Sequence, residues 1–68
     1  MDATKLKLAI VERGFTAASL SEAIGISKST FSKKINGHRE FTLGEIQRIV
    51  DVLKLDSPIP IFFAAKVP

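Results

Sequence analysis

One short arrangement occurs three times in this chain. Phe15-Thr16 is followed by Leu20, Ile26-Ser27 by Phe31, and Phe41-Thr42 by Ile46. Each set places an apolar residue just outside a helix start, a hydroxyl at the N-cap and an apolar residue one turn inside. The hydroxyl oxygen can accept from an amide that the first turn leaves free, and the two apolar side chains can meet across the cap. Thr42-Leu43-Gly44-Glu45 also has the spacing of a capping box. Gly14, Gly25 and Gly37 each follow an amphipathic segment, where a residue able to adopt the left-handed conformation commonly ends a helix. Starts and stops in this register leave space only for a set of short helices.

The first helix is predicted over Ala3–Arg13, the second over Ala17–Ile24, the third over Lys28–Asn36 and the fourth over Leu43–Leu53. A short fifth helix is predicted to begin at Ser57-Pro58, since serine caps and proline fits the first helical position. Isolated helices shorter than about 12 residues are marginal in water, so tertiary packing must hold these in place. Their apolar faces define an expected core of Leu6, Ile10, Phe15, Leu20, Ile24, Phe31, Ile35, Phe41, Ile46, Ile49 and Leu53. The expected fold class is all-α, a bundle of about five short helices forming one domain over residues 1–68. No alternating strand pattern or internal repeat is present.

The 68-residue length fits a single small domain, which buries only about 60% of its unfolded surface. Cysteine is absent and His38 is the only histidine, so neither a disulfide nor a metal site is expected, and no cofactor or small-molecule ligand is implied. One histidine and seven scattered acids offer no nucleophile–base pair, so no catalytic role is expected. The longest near-continuous apolar run, Pro58–Ala65, falls far short of the roughly 20 residues that cross a bilayer. A soluble, intracellular protein is expected.

The charge is unevenly placed. Ser27–Arg39 carries Lys28, Lys33, Lys34 and Arg39 with no acid, while the rest of the chain holds six cations and all seven acids. The whole net charge of +3 therefore resides in thirteen residues. A concentrated basic patch favours a polyanion, although a charge run can also be a plain solvated face. At 100° per residue, Phe31 and Ile35 point inward, and Ser29, Ser32, Lys33 and Asn36 fall broadly opposite. Thr30 and Lys34 are expected on one flank, and Lys28 opens the first turn on the other. A helix designed only for water would carry glutamate among its lysines for intrahelical pairing. This one suits an anionic groove, and the B-DNA major groove, about 12 Å wide, admits an α-helix.

Gly25-Ile26-Ser27 joins the second and third helices, and a three-residue turn containing glycine is typical of a helix-turn-helix. Ser21 is small enough to let the two helices approach closely where they are expected to cross. With Leu20, Ser21, Ile24, Gly25, Ile26, Ser27, Phe31 and the closing Asn36-Gly37 pair, residues 17–36 resemble the helix-turn-helix of phage-repressor and Cro-like regulators of the xenobiotic-response-element type. The likeness continues through Phe41-Thr42-Leu43 and the fourth helix, covering about Lys5–Leu55. Two departures are visible: Ser21 stands where many relatives have alanine, and Phe31 and Ile35 are spaced by four rather than three.

The resemblance implies a lambda-repressor-like fold and a transcriptional regulator, a Cro-like repressor reading double-stranded DNA in the cytoplasm of a bacterial cell or phage-infected host. It implies base contacts from Lys28, Ser29, Ser32 and Lys33. Phosphate contacts are expected from Thr16 and the Ala17 amide at the start of the second helix, and from Ser27, Lys34, Asn36, His38 and Arg39. For His38, a solvated loop histidine is the equal alternative. One module reads few base pairs, so a homodimer on a palindromic operator is implied, formed in solution or only on DNA. Residues 57–68, with the apolar stretch Ile59-Pro60-Ile61-Phe62-Phe63 and fraying expected at Lys66–Pro68, form either the dimer contact or a lid over the core. The rival function is a protein-interaction module on the same fold: a modulator, antirepressor or antitoxin.

Overall fold

The computed structural model describes residues 1–63, and the end of the expected tail, with the fraying expected at Lys66–Pro68, lies outside them. Five helices follow in order: α1 Ala3–Glu12, α2 Ala17–Ile24, α3 Lys28–Ile35, α4 Leu43–Leu53 and α5 Ile59–Phe62. The bounds of α2 and α4 are those predicted, while α1 and α3 each end one residue sooner, with Arg13 and Asn36 as C-caps.

The three hydroxyl caps form as expected. Thr16, Ser27 and Thr42 accept from the amides of Ser19, Thr30 and Glu45, at 3.0, 3.2 and 3.1 Å. Glu45 closes the predicted box by accepting from the Thr42 amide at 2.9 Å. Two caps were not predicted. Asp2 caps α1 by accepting from the Lys5 amide at 3.0 Å, and Ser19 returns a bond to the Thr16 amide at 2.8 Å, completing a second box. Both follow from the same three-residue spacing and were legible in principle.

The glycines 14, 25 and 37 all adopt positive φ, at 79°, 83° and 85°. Gly25 matters most, because it ends α2 and turns the chain toward α3. A Cβ there would meet only the Arg48 guanidinium at 4.0 Å, an ordinary contact, so the cost of a side chain is conformational. Gly25→Ala should destabilise the domain by about 1–2 kcal/mol. That loss should lower the melting temperature by about 4–8 °C per kcal/mol, as followed by circular dichroism. A variant that melts with the wild type would contradict the turn geometry.

The core joins Leu6 and Ile10 of α1, Leu20 and Ile24 of α2, Phe31 and Ile35 of α3, and Ile46, Ile49 and Leu53 of α4. Phe15 and Phe41 are half-buried against it. Phe31 is fully enclosed, with its ring edge-on to Phe41 at 5.7 Å between centroids. Ser21 is buried, and its hydroxyl donates to the Ala18 carbonyl at 2.8 Å, so the small residue expected between α2 and α3 costs no unpaired polar group.

The described part of the tail, for which a dimer contact and a lid over the core were the two expectations, divides its apolar residues between core and solvent. Ile61 and Phe62 are buried core members, and the Phe62 ring is edge-on to Phe41 at 5.7 Å. The Asp2 amide donates to the Ile61 carbonyl at 2.7 Å, which fastens α5 to the start of α1. Ile59 and Phe63 remain exposed, so α5 with its C-cap buries one pair of large apolar side chains and leaves another in water. The helix starts one residue later than predicted, with Pro60 in its first turn and Ser57 Oγ accepting from the Ile59 amide at 3.2 Å. No helix among the described residues is long and apolar enough to cross a membrane.

Candidate nucleic-acid interface

Helix α3 presents a divided surface. Phe31 and Ile35 enter the core, while Lys28, Ser29, Ser32, Lys33 and Asn36 are exposed. All four residues expected to contact bases therefore share the solvent-facing side of one two-turn helix. Thr30, the flank residue, is half-buried, and its hydroxyl accepts from Ser27 Oγ at 2.8 Å. Asn36 Nδ2 is 3.4 Å from Ser32 Oγ, a long bond that links the end of this face to its middle.

The framing residues are mostly accessible as well. Thr16, Ala17, Ser27, His38 and Arg39 are exposed. The box at the start of α2 engages the Thr16 and Ser19 amides, and the Ala17 amide remains one of the free donors of that helix end. The Ser27 hydroxyl is already committed to Thr30, which leaves its phosphate-binding capacity largely to the helix end it caps.

Lys34 is a correction. It was expected on an outer flank as a phosphate contact, yet it is buried, with 8% of its surface exposed. Its ammonium donates to both carboxylate oxygens of Glu45, with Nζ at 2.6 Å from Oε2. It also stands 6.0 Å from the centroid of the Phe41 ring. The cause is the packing of α4: the flank that is open on an isolated α3 lies beside the start of α4, where Glu45 completes the cap. The free cations of the basic segment are therefore Lys28, Lys33 and Arg39.

Burial pushes the Glu45 carboxyl up, but the bonds from Lys34 and from the Thr42 amide outweigh it and hold the group below its ordinary range. Nothing in the sequence pairs residues 34 and 45. A second tie was equally invisible: Arg48 Nη1 donates to the Ile24 carbonyl at 3.1 Å, fixing α4 to the end of α2 beside the turn.

Two short helices joined at a glycine turn, the second exposing a polar and cationic face free of acids, define a helix-turn-helix DNA-binding domain. Residues 5–58 match the family model described as the Cro/C1-type HTH DNA-binding domain, and the chain belongs to that family. Comparison with curated proteins and with solved structures gave no significant match. The family assignment makes the chain a DNA-binding regulator whose partner is double-stranded DNA.

Proposed function

We propose that the protein is a sequence-specific, Cro-like repressor that lays α3 in the major groove of its operator. The observation that carries this reading is the exposed face of Lys28, Ser29, Ser32 and Lys33, which has donors and acceptors for base edges and no acid to repel a duplex. Lys28 and Lys33 donate to guanine O6 and N7, and the serines pair with several bases. Thr16, the Ala17 amide, Ser27, Asn36, His38 and Arg39 grip phosphates and set the orientation.

Two substitutions divide these roles. Lys33→Ala should cost about 1–3 kcal/mol on the preferred duplex and relax selectivity at one base pair. Arg39→Ala should weaken binding to every sequence and reduce the salt slope by about one. Titrations on the preferred and on a scrambled duplex at several salt concentrations check both. If the two variants lose affinity equally on both duplexes, the division of roles is wrong.

The active species proposed is a homodimer on a palindromic operator, with half-sites about one DNA turn apart. Support comes from exposed Met1, Leu43 and Phe63, which line an open groove of about 760 Å³ beside the end of α3. Sedimentation with a palindromic duplex should give two chains per duplex, and one chain per duplex would reject the dimer. The alternative, a modulator or antitoxin that grips another protein, predicts no salt-dependent binding to random duplex DNA.

A further inference from the structure

Lys33 and Lys34 are adjacent, so a rotation of α3 by about 100° would exchange which of them faces outward. Phe31 and Ile35 span about 40° of the helix circumference, and the full exchange would carry both out of the core, so they exclude it and leave only smaller rotations to be set by contacts on the flanks. Thr30 and Ser32, on either side of Phe31, are small and do not block such a turn in either direction. Helices α3 and α4 each pack on α2, and the Lys34–Glu45 bridge, the one ion pair among the described residues, joins them directly.

Glu45 is held from both sides. Its amide donates to Thr42 Oγ1 at 3.1 Å, and its carboxylate accepts from the Thr42 amide at 2.9 Å as well as from Lys34. Lys34 is thus keyed to the cap of α4. Phe41, beside the ammonium, is wedged between Phe31 and Phe62. The loop from Asn36 to Thr42, which bears His38 and Arg39, is closed by this pair at its two ends. A buried ion pair is weak evidence for stability, since apolar replacements often do as well, and setting register is its best-attested use.

We infer that Glu45 is a specificity-determining positioning residue: by holding Lys34 inside, it fixes the fine rotation of α3 about its Phe31 and Ile35 anchors, and with it the angle at which Lys33 meets the DNA. The inference rests on the DNA-reading role of α3 and adds to it a residue that touches no DNA.

The test uses the duplex that the wild-type chain selects from a random pool, and a scrambled duplex of equal length. Lys34→Met with Glu45→Gln removes both charges while leaving an acceptor for the Thr42 amide. The specific-to-scrambled affinity ratio of this folded variant should fall about tenfold or more, with an unchanged salt slope. Lys34→Arg, which keeps the charge, should retain most of the ratio. An unchanged ratio in the folded double variant would reduce the pair to a structural contact and overturn the inference. Equal losses on both duplexes, with a salt slope smaller by about one, would make Lys34 a phosphate ligand and overturn it too. Should the double variant fail to fold, Glu45→Asp serves, because it withdraws the carboxylate by one methylene and keeps the charge. Its ratio should fall at least about threefold, and a wild-type ratio would overturn the inference. Failure of the DNA-reading role itself would be separate and visible first, as a wild-type chain that selects no duplex.

Discussion

Phe31→Ala is expected to unfold a large fraction of the protein at physiological temperature. The ring is fully buried and meets Phe41 edge-on, so truncation removes its transfer free energy and leaves a cavity between α3 and the rest of the core. Such a change costs about 3–5 kcal/mol. A domain of this length has a total stability of roughly 3–10 kcal/mol, so the loss is a large part of the whole. Chemical denaturation followed by circular dichroism gives the number directly. Phe31→Leu, which nearly conserves volume, should cost about 1.5 kcal/mol or less. DNA binding should follow the folded fraction in both, since Phe31 faces away from the proposed interface. A Phe31→Ala protein that melts within about 3 °C of wild type would mean that α3 is not held by this ring.

The second large effect concerns the ion pair. Glu45→Gln at neutral pH leaves the Lys34 ammonium buried beside a neutral amide, and breaking a buried pair from one side costs roughly 3 kcal/mol. The same interaction makes stability depend on pH. The folded carboxyl lies below its ordinary value of 4.5, so the unfolded chain binds its proton first as pH falls. The stabilisation is therefore fully present above about pH 5 and is lost as pH drops below 4.5 and through the folded value. Melting temperatures measured between pH 7 and pH 3 should be flat and then fall, and Glu45→Gln should start lower with a shallower acid limb. An acid limb of the same steepness in wild type and variant would assign the loss to other carboxylates.

Much of the candidate site is legible in the sequence. Helical periodicity and the positions of Phe31 and Ile35 turned Ser29, Ser32, Lys33 and Asn36 outward, the resemblance to Cro-like regulators added Lys28 to the expected base contacts, and the structure leaves all five exposed. Lys34 was not legible. It lies on the border between the two faces, where periodicity permits either fate, and only the arrival of Glu45 from α4 decides it. The tail was similarly open. An apolar run can cover its own core or a partner's, and its content does not distinguish them. The structure divides it, burying Ile61 and Phe62 and exposing Ile59 and Phe63.

What the chain determined by itself is its segmentation. A cap or a left-handed stop depends on groups three or four residues apart, so the starts at Thr16, Ser27 and Thr42 could be read without knowing what packs where. One stop lacks a glycine to mark it: α4 ends at Leu53 as predicted, and its C-cap Lys54 takes the left-handed conformation at a φ of +54°. Tertiary structure decided what distant segments do to one another: the burial of Lys34, the latch from Arg48 to Ile24, and the docking of α5 on the start of α1. The reason is one of range. Capping energies are settled within a single turn, whereas the fate of a charge on a helix flank depends on which helix desolvates it and whether that helix brings a counter-charge.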